Sequence, residues 1–259
     1  MAGELPISVL LLARDETRDL EELLPTLAFA REVVVVWDPR GERATRDAAE
    51  RLGARVHERR FEGFGPQRRH ALEQCTQDWV LWLDADERLT GESLPTLRRL
   101  TALPADRSLV AARRRTWFLG RRIRWCGWGD EWLPRLFGRR AASFDDATVH
   151  EQVRIGNARV LRAPGPFEIE HHSYRTLEDC FLKMRRYASA GAEQDWARGR
   201  RAGALDLLLR PPLRFARQYV AQLGFLDGVH GLVLCGFAAA QVFLKYAALW
   251  DRGRREGRR

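Results

Sequence analysis

Residues 79–88 read Trp-Val-Leu-Trp-Leu-Asp-Ala-Asp-Glu-Arg. An apolar run that ends on paired carboxylates predicts a buried strand, Trp79 to Leu83, with Asp84 and Asp86 at its carboxyl end. In an extended backbone residues i and i+2 project to one side, so the two carboxylates are expected to converge. A hard divalent cation, Mg²⁺ or Mn²⁺, takes oxygen ligands and is commonly completed by substrate phosphates, so the pair suits a nucleotide diphosphate. The same D-x-D also occurs as a solvated strand end or a helix cap.

Upstream, short apolar runs alternate with helix-period segments, the pattern of a parallel sheet covered by helices. Ile7 to Leu12 reads as a strand, and Leu20, Leu23, Leu24 and Leu27 form the stripe of a helix. Val33 to Trp37 is a second strand, Thr45 to Leu52 a helix ended by Gly53, Arg55 to His57 a third strand, and Pro66 to Gln74 a helix with proline in its first turn. Right-handed crossovers place the carboxyl ends of such strands on one rim, where ligands bind. Asp15 and Glu16 after the first strand and Asp38 after the second therefore join Asp84 there. These acids can accept hydrogen bonds from a base or ribose; equally, Asp15 can cap a helix and Asp38-Pro39 can form a turn.

The chain has 259 residues, 45% hydrophobic and 31% charged, which excludes collagen-like, coiled-coil and disordered readings. Cys75, Cys126, Cys180 and Cys235 form no metal or disulfide pattern and fit a reducing cytosol. The N-terminus lacks a basic export signal, so no export is expected. Lys183 and Lys245 are the only lysines, so arginine dominates a net charge of +9, which leaves nucleic acid, an anionic membrane surface and a phosphorylated substrate open as partners. The nine tryptophans are scattered instead of lining one basic strand, which argues against nucleic acid.

From Thr176 the chain turns helical and basic. Arg210, Arg214 and Arg217 interleave with apolar residues as in an interfacial helix. Gly231 to Leu244 is apolar except for Gln241, about fourteen residues against the roughly twenty that span a bilayer, which reads as monotopic or re-entrant. A helical cap on the first domain or a homodimer interface would use the same residues. The arginine-rich stretch 252–259 is expected to fray.

The ordered series of strand, Ala13-Arg14-Asp15-Glu16, strand, Asp38, Gly63-Phe64-Gly65-Pro66-Gln67-Arg68 and then residues 79–88 resembles the family 2 glycosyltransferases with the GT-A fold. More narrowly, the chain resembles their lipopolysaccharide-core β-glucosyltransferase branch, through Arg135-Leu136-Phe137, Val149-His150-Glu151, His171-His172-Ser173-Tyr174-Arg175 and Gly224-Phe225-Leu226-Asp227-Gly228. The resemblance implies a nucleotide-diphospho-sugar transferase fold, a Rossmann-like, mostly parallel sheet over residues 1–175; the basic amphipathic helices over 176–259 are expected to form a membrane-associating appendage. It further implies inverting transfer of a hexose, glucose foremost, from a UDP-sugar to a lipid-linked or lipopolysaccharide-core acceptor, peripherally on the cytoplasmic face of an inner membrane. Arg40 to Arg43, Arg69 and Leu133 depart from the family's usual residues, which bears on the donor sugar and acceptor.

On that resemblance Ala13, Arg14, Asp15, Glu16, Asp38, Gln67, Arg68 and Asp84 hold the donor, and Asp84, Asp86 and His171 the cation. Inversion needs a carboxylate to take the acceptor proton opposite the departing diphosphate. Glu151 is the first choice, with Asp130 and Glu131 as rivals; each could instead form a surface ion pair worth ~1 kcal/mol or less. Arg135, with Arg68, would stabilise the leaving diphosphate. A nucleotidyltransferase is an alternative, but it calls for a glycine-rich basic loop after the first strand, where this chain has Ala13-Arg14-Asp15-Glu16. A noncatalytic polyanion-binding module would need only the arginines.

Overall fold

The computed structural model describes residues 4–105, 109–144, 153–154 and 160–256. In chain order the elements are β1 (Leu5–Ala13), α1 (Thr17–Leu23), β2 (Ala30–Trp37), α2 (Arg43–Arg51), β3 (Arg55–Glu58), α3 (Phe64–Gln74), β4 (Trp79–Trp82), β5 (Glu87–Leu89), α4 (Leu94–Thr101), β6 (Leu109–Phe118), β7 (Arg121–Arg122), β8 (Glu131–Gly138), β9 (Ser143–Phe144), β10 (Val153–Arg154), β11 (Leu161–Arg162), β12 (Glu168–Tyr174), α5 (Leu177–Ala197), α6 (Ala204–Ala216) and α7 (Gly228–Glu256). The main sheet runs β3-β2-β1-β4-β8-β6-β12-β5. Its β3-β2-β1-β4 half is parallel, whereas β8 lies antiparallel to β4 and β6, and β12 antiparallel to β5.

The chain divides into two compact units, Met1–Arg114 with Glu131–His171, and Arg115–Asp130 with His172–Arg259. In the first, alternate residues of each buried strand feed two cores, as the period of two requires. Ile7, Val9 and Leu11 of β1 join Val35, Leu81 and the stripe Leu20, Leu23, Leu24 and Leu27 on one face. Leu10, Val34, Val36, Val80 and Trp82 pack with Ala71, Leu72, Phe137 and Phe144 on the other. Each fully buried Leu, Ile or Val here stabilises by roughly 1.5–3 kcal/mol relative to exposure. Residues 113–140, which have no clear period in sequence, hold the end of β6, β7 and β8.

The second unit has its own core of Phe118, Ile123, Cys126, Cys180, Leu234 and Cys235. A capping box of Thr176 and Asp179 starts α5. α7 continues beyond the apolar run Gly231–Leu244 at both ends, so by length and composition it is long and apolar enough to cross a membrane, which the shorter run was not. The helix also continues through residues 252–256 of the stretch expected to fray, where Asp251 pairs with Arg254 at 3.0 Å and with Arg255 at 2.7 Å; residues 257–259 lie outside the described residues.

Candidate active site

Parallel pairing sets the ends of β1 and β2 side by side at Ala13 and Trp37, and Leu83 N donates to Leu10 O at 3.1 Å, so three carboxyl ends share one rim. Beyond Leu83 the chain does not stay extended. Glu87 N donates to Asp84 O at 2.9 Å, closing Asp84-Ala85-Asp86-Glu87 into a turn, in which Asp84 and Asp86 are partly exposed while Ala85 and Glu87 are buried, and the Asp86 charge acts on the Asp84 carboxyl. The Asp84 carboxylate accepts from Trp82 Nε1 at 3.3 Å and Arg135 Nη2 at 3.0 Å, whereas Asp86 Oδ2 lies 3.3 Å from His171 Nε2.

Glu87 causes the turn. Its side chain is fully buried and accepts from Asp84 N at 3.1 Å and from Arg135 Nη2 at 2.5 Å. Arg88 fastens the turn from the other side, donating to Ala85 O at 2.7 Å and to Asp19 O at 2.9 Å in α1.

Arg135 and Arg68, 3% and 8% exposed, both lie over the Trp82 ring, at 4.4 and 4.1 Å from its centroid. Arg68 Nη2 is 3.9 Å from Asp84 Oδ1. The indole thus holds two guanidiniums beside one carboxylate, a place where cation–π attraction offsets some lost hydration. Burial pushes the Asp84 carboxyl up, but Arg135 and Arg68 together outweigh it and hold the group below its ordinary value. For Glu87 burial wins, and its carboxyl lies above the usual range. Arg114 extends the chain of charge, 3.8 Å from Glu87 and hydrogen-bonded to Glu131.

The loops after β1 and β2 interlock. Glu16 folds back to accept from Arg14 N at 2.5 Å and Asp15 N at 2.9 Å, while burial raises its carboxyl. Asp15 Oδ1 accepts from Glu42 N at 2.8 Å, so it anchors the entrance to α2 and not the start of α1. Asp38, 3% exposed, is gripped by Arg40 with Nη2 to Oδ2 at 2.7 Å, and these hydrogen bonds bring its pKa down to about 2. A Cβ at Gly41 would lie 2.2 Å from Arg14 O, so only glycine lets the two loops meet. Gln67, buried on α3, donates to Arg59 O at 2.9 Å and leaves its Oε1 without a partner among the described residues.

The family model for Glycosyl transferase family 2 matches residues 8–163. The chain belongs to this family. The "Lipopolysaccharide core biosynthesis glycosyltransferase LpsC" of Rhizobium meliloti (strain 1021) is 26% identical over 275 residues, 95% of each chain. An "Uncharacterized glycosyltransferase" of Rickettsia bellii (strain RML369-C) is 24% identical, over 94% of this chain and 85% of the relative. The mannosyltransferase PcManGT from Pyrobaculum calidifontis, solved in complex with GDP-Man and Mn²⁺, superimposes with a TM-score of 0.50 at 15% identity, covering 96% of this chain and 88% of that one. The fold is GT-A and the chain is a glycosyltransferase, which sets aside the nucleotidyltransferase and noncatalytic readings.

Within this glycosyltransferase, Ala13, Arg14, Asp15, Glu16 and Asp38 gather at the ends of β1 and β2, and Arg68, Asp84, Asp86, Arg135 and His171 gather around the turn after β4. Glu131 reaches that cluster through Arg114. Asp130 belongs to the second unit and pairs there with Arg122 at 2.8 Å. Glu151 lies outside the described residues. Among the described residues, no three or more His, Cys, Asp or Glu side chains form a cage that could hold a metal. Glu87, Arg114 and Trp82 are additions to the sequence-derived set. One signal pointed to an acid such as Glu87: Arg135 sits in the otherwise apolar Leu133–Phe137 and needs a buried counter-ion.

Proposed function

We propose that this glycosyltransferase transfers a hexose, glucose foremost, from a UDP donor to a lipid-linked or lipopolysaccharide-core saccharide, with inversion, at the cytoplasmic face of an inner membrane. The observation that carries the reading is the cluster of Asp84, Asp86 and His171 with the buried Arg68 and Arg135 at the carboxyl rim of the parallel strands. The lipopolysaccharide-core role of LpsC supports the acceptor class.

The donor set fits a divalent cation. Asp86 Oδ2 and His171 Nε2 are 3.3 Å apart, near the ~3 Å between adjacent ligands of an octahedral ion with bonds of about 2.1 Å. An ion held by these few protein ligands takes its remaining ligands from water and diphosphate oxygens. Mg²⁺ or Mn²⁺ would serve, and the imidazole favours Mn²⁺. When bound, the cation neutralises charge that develops on the departing diphosphate.

Arg135 and Arg68 are already fixed over Trp82, so they can meet that charge without reorganising. Asp84, held ionised by them, orients both. Asp38 would exchange Arg40 for donor hydroxyls. Glu151 remains the base in this reading, because Glu131 is paired with Arg114 and Asp130 with Arg122. Residues 1–175 carry the chemistry, and the helices of 176–259 keep the enzyme at the membrane, where local concentration replaces tight acceptor affinity.

Calorimetric titration with UDP-glucose, UDP-galactose and UDP-N-acetylglucosamine, each with and without Mn²⁺, tests the reading. UDP-glucose is expected to bind most tightly and only with the metal, and Asp86→Asn to abolish metal-dependent turnover. Equal binding without metal, or unchanged turnover of that variant, overturns it.

A further inference from the structure

The second unit contains a cavity of about 240 Å³ between α5, α6 and α7, lined by Phe118, Trp128, Leu234 and Phe237 together with Arg214 and Gln241. Two features set it apart from an ordinary packing gap. Arg214 pairs with no carboxylate among the described residues, and its Nε is sealed from solvent with no hydrogen-bond partner. A donor left in that state carries a desolvation cost that an anionic oxygen would remove. Gln241, the one polar residue in the apolar run Gly231–Leu244, opens onto the same cavity and offers an amide beside the guanidinium.

The outer face of the same helix is apolar and uncovered. On α6, Leu205, Leu208 and Leu213 are 71%, 67% and 65% exposed, at the spacing of one helical stripe. Arg210, by contrast, is already bound to Asp206 at 2.6 Å. α6 therefore shows leucines to the outside and one unmatched cation to an aromatic cavity. An inorganic anion needs no aromatic lining, and an uncharged apolar ligand needs no guanidinium. An amphiphile that carries both parts matches the site.

We infer that this cavity takes the phosphate of a membrane phospholipid, held by Arg214 and Gln241 with the start of one acyl chain against the aromatic lining. The volume is below the ~300–1,000 Å³ of sites that enclose a whole small ligand, so one end of the lipid enters and the rest stays with the bilayer along the leucine stripe. The inference rests on the membrane part of the proposed function and specifies its partner.

The test uses the full chain and dihexanoyl phosphatidylglycerol below its micelle concentration, read by calorimetry and by the emission of Trp128, with Trp128→Phe assigning the signal. No nucleotide sugar is present, so the outcome is independent of whether transfer from a UDP donor occurs. Saturable binding is expected. Arg214→Gln should weaken it about tenfold, as loss of a charge-assisted hydrogen bond does. Ala238→Phe, which keeps the arginine but fills the cavity, should weaken it comparably. Arg217→Gln, which removes an exposed charge of the same region, should change it less than about twofold. The inference is overturned if Arg214→Gln and Ala238→Phe bind like the parent. An equal loss in Arg217→Gln, which would mean diffuse attraction, also overturns it, as does displacement of the lipid by equimolar inorganic phosphate, which would mean a site for the free ion.

Discussion

Replacing Arg135 by methionine removes a buried guanidinium that contacts two carboxylates of the active-site turn, the half-exposed Asp84 at 3.0 Å and the fully buried Glu87 at 2.5 Å. Removing one partner of a buried ion pair costs about 3–5 kcal/mol, because the remaining charge is left uncompensated. Arg68 at 3.9 Å from Asp84 and Arg114 at 3.8 Å from Glu87 recover part of that, which places the loss near ~3 kcal/mol at pH 8. At ~2–4 °C per kcal/mol for a chain of this size, the melting temperature should fall by roughly 6–12 °C.

The pH dependence separates this account from simple loss of packing. Burial already raises Glu87 above its ordinary 4.5 with Arg135 beside it, and removal of the cation raises it further. A carboxyl raised in the folded state supports stability fully below its unfolded value and loses that support as pH climbs through the folded one. The deficit of Arg135→Met relative to the parent should therefore shrink from pH 8 to pH 5. Thermal melts followed by circular dichroism at both values measure it. A variant that melts within about 2 °C of the parent at pH 8, or whose deficit widens on acidification, refutes the reasoning.

Gly41→Ala forces a Cβ to within 2.2 Å of Arg14 O, and it should cost about 1–3 kcal/mol in urea unfolding while weakening donor binding through the displaced β1 and β2 loops. Asp38→Asn removes a carboxylate depressed to about 2 from 3.8, whose support is present above the unfolded value and disappears as pH falls through the folded one. Because Arg40 is 41% exposed, its cost near pH 7 should be only ~1 kcal/mol, and parent and variant should converge in melts carried toward pH 2. All four cysteines are buried and reduced, and burial pushes the thiols of Cys75 and Cys180 up to about 12 and 11. Iodoacetamide at pH 8 should therefore leave the folded protein unlabelled by mass spectrometry and label it fully in denaturant.

The parallel half of the sheet was legible because its strands are buried on both faces and so are written as continuous apolar runs, separated by helices with a 3.6-residue period. Strands β6, β8 and β12 were harder to see. They carry arginine, tryptophan and histidine at positions that ion pairs and ring stacking keep inside, such as Arg135 over Trp82 and Trp117 stacked on His172 at 5.5 Å. Polarity then no longer reports burial, and the alternation that marks a strand is erased. The full length of α7 was obscured similarly, since Asp251 and the arginines beyond it look like a tail until their i,i+3 and i,i+4 pairs are seen.

The active-site turn was legible in composition but not in geometry. A D-x-D at the end of an apolar run identifies a strand terminus rich in carboxylate, but whether the next residue continues the strand depends on a long-range partner. Here that partner is Arg135, 48 residues beyond Glu87. Once it is buried in β8, its charge demands an acid within reach, and the acid that answers is Glu87, whose other oxygen then accepts from Asp84 N and curls the chain. Sequence can show that a buried arginine needs a counter-ion. It cannot choose among 35 acids which one supplies it, because the choice is made by the register of β4 against β8, where Val80 faces Phe137 and Leu81 faces Leu136. The conformation of the D-x-D is therefore a consequence of strand pairing, and a change that slips this register should unmake the site while leaving every site residue in place.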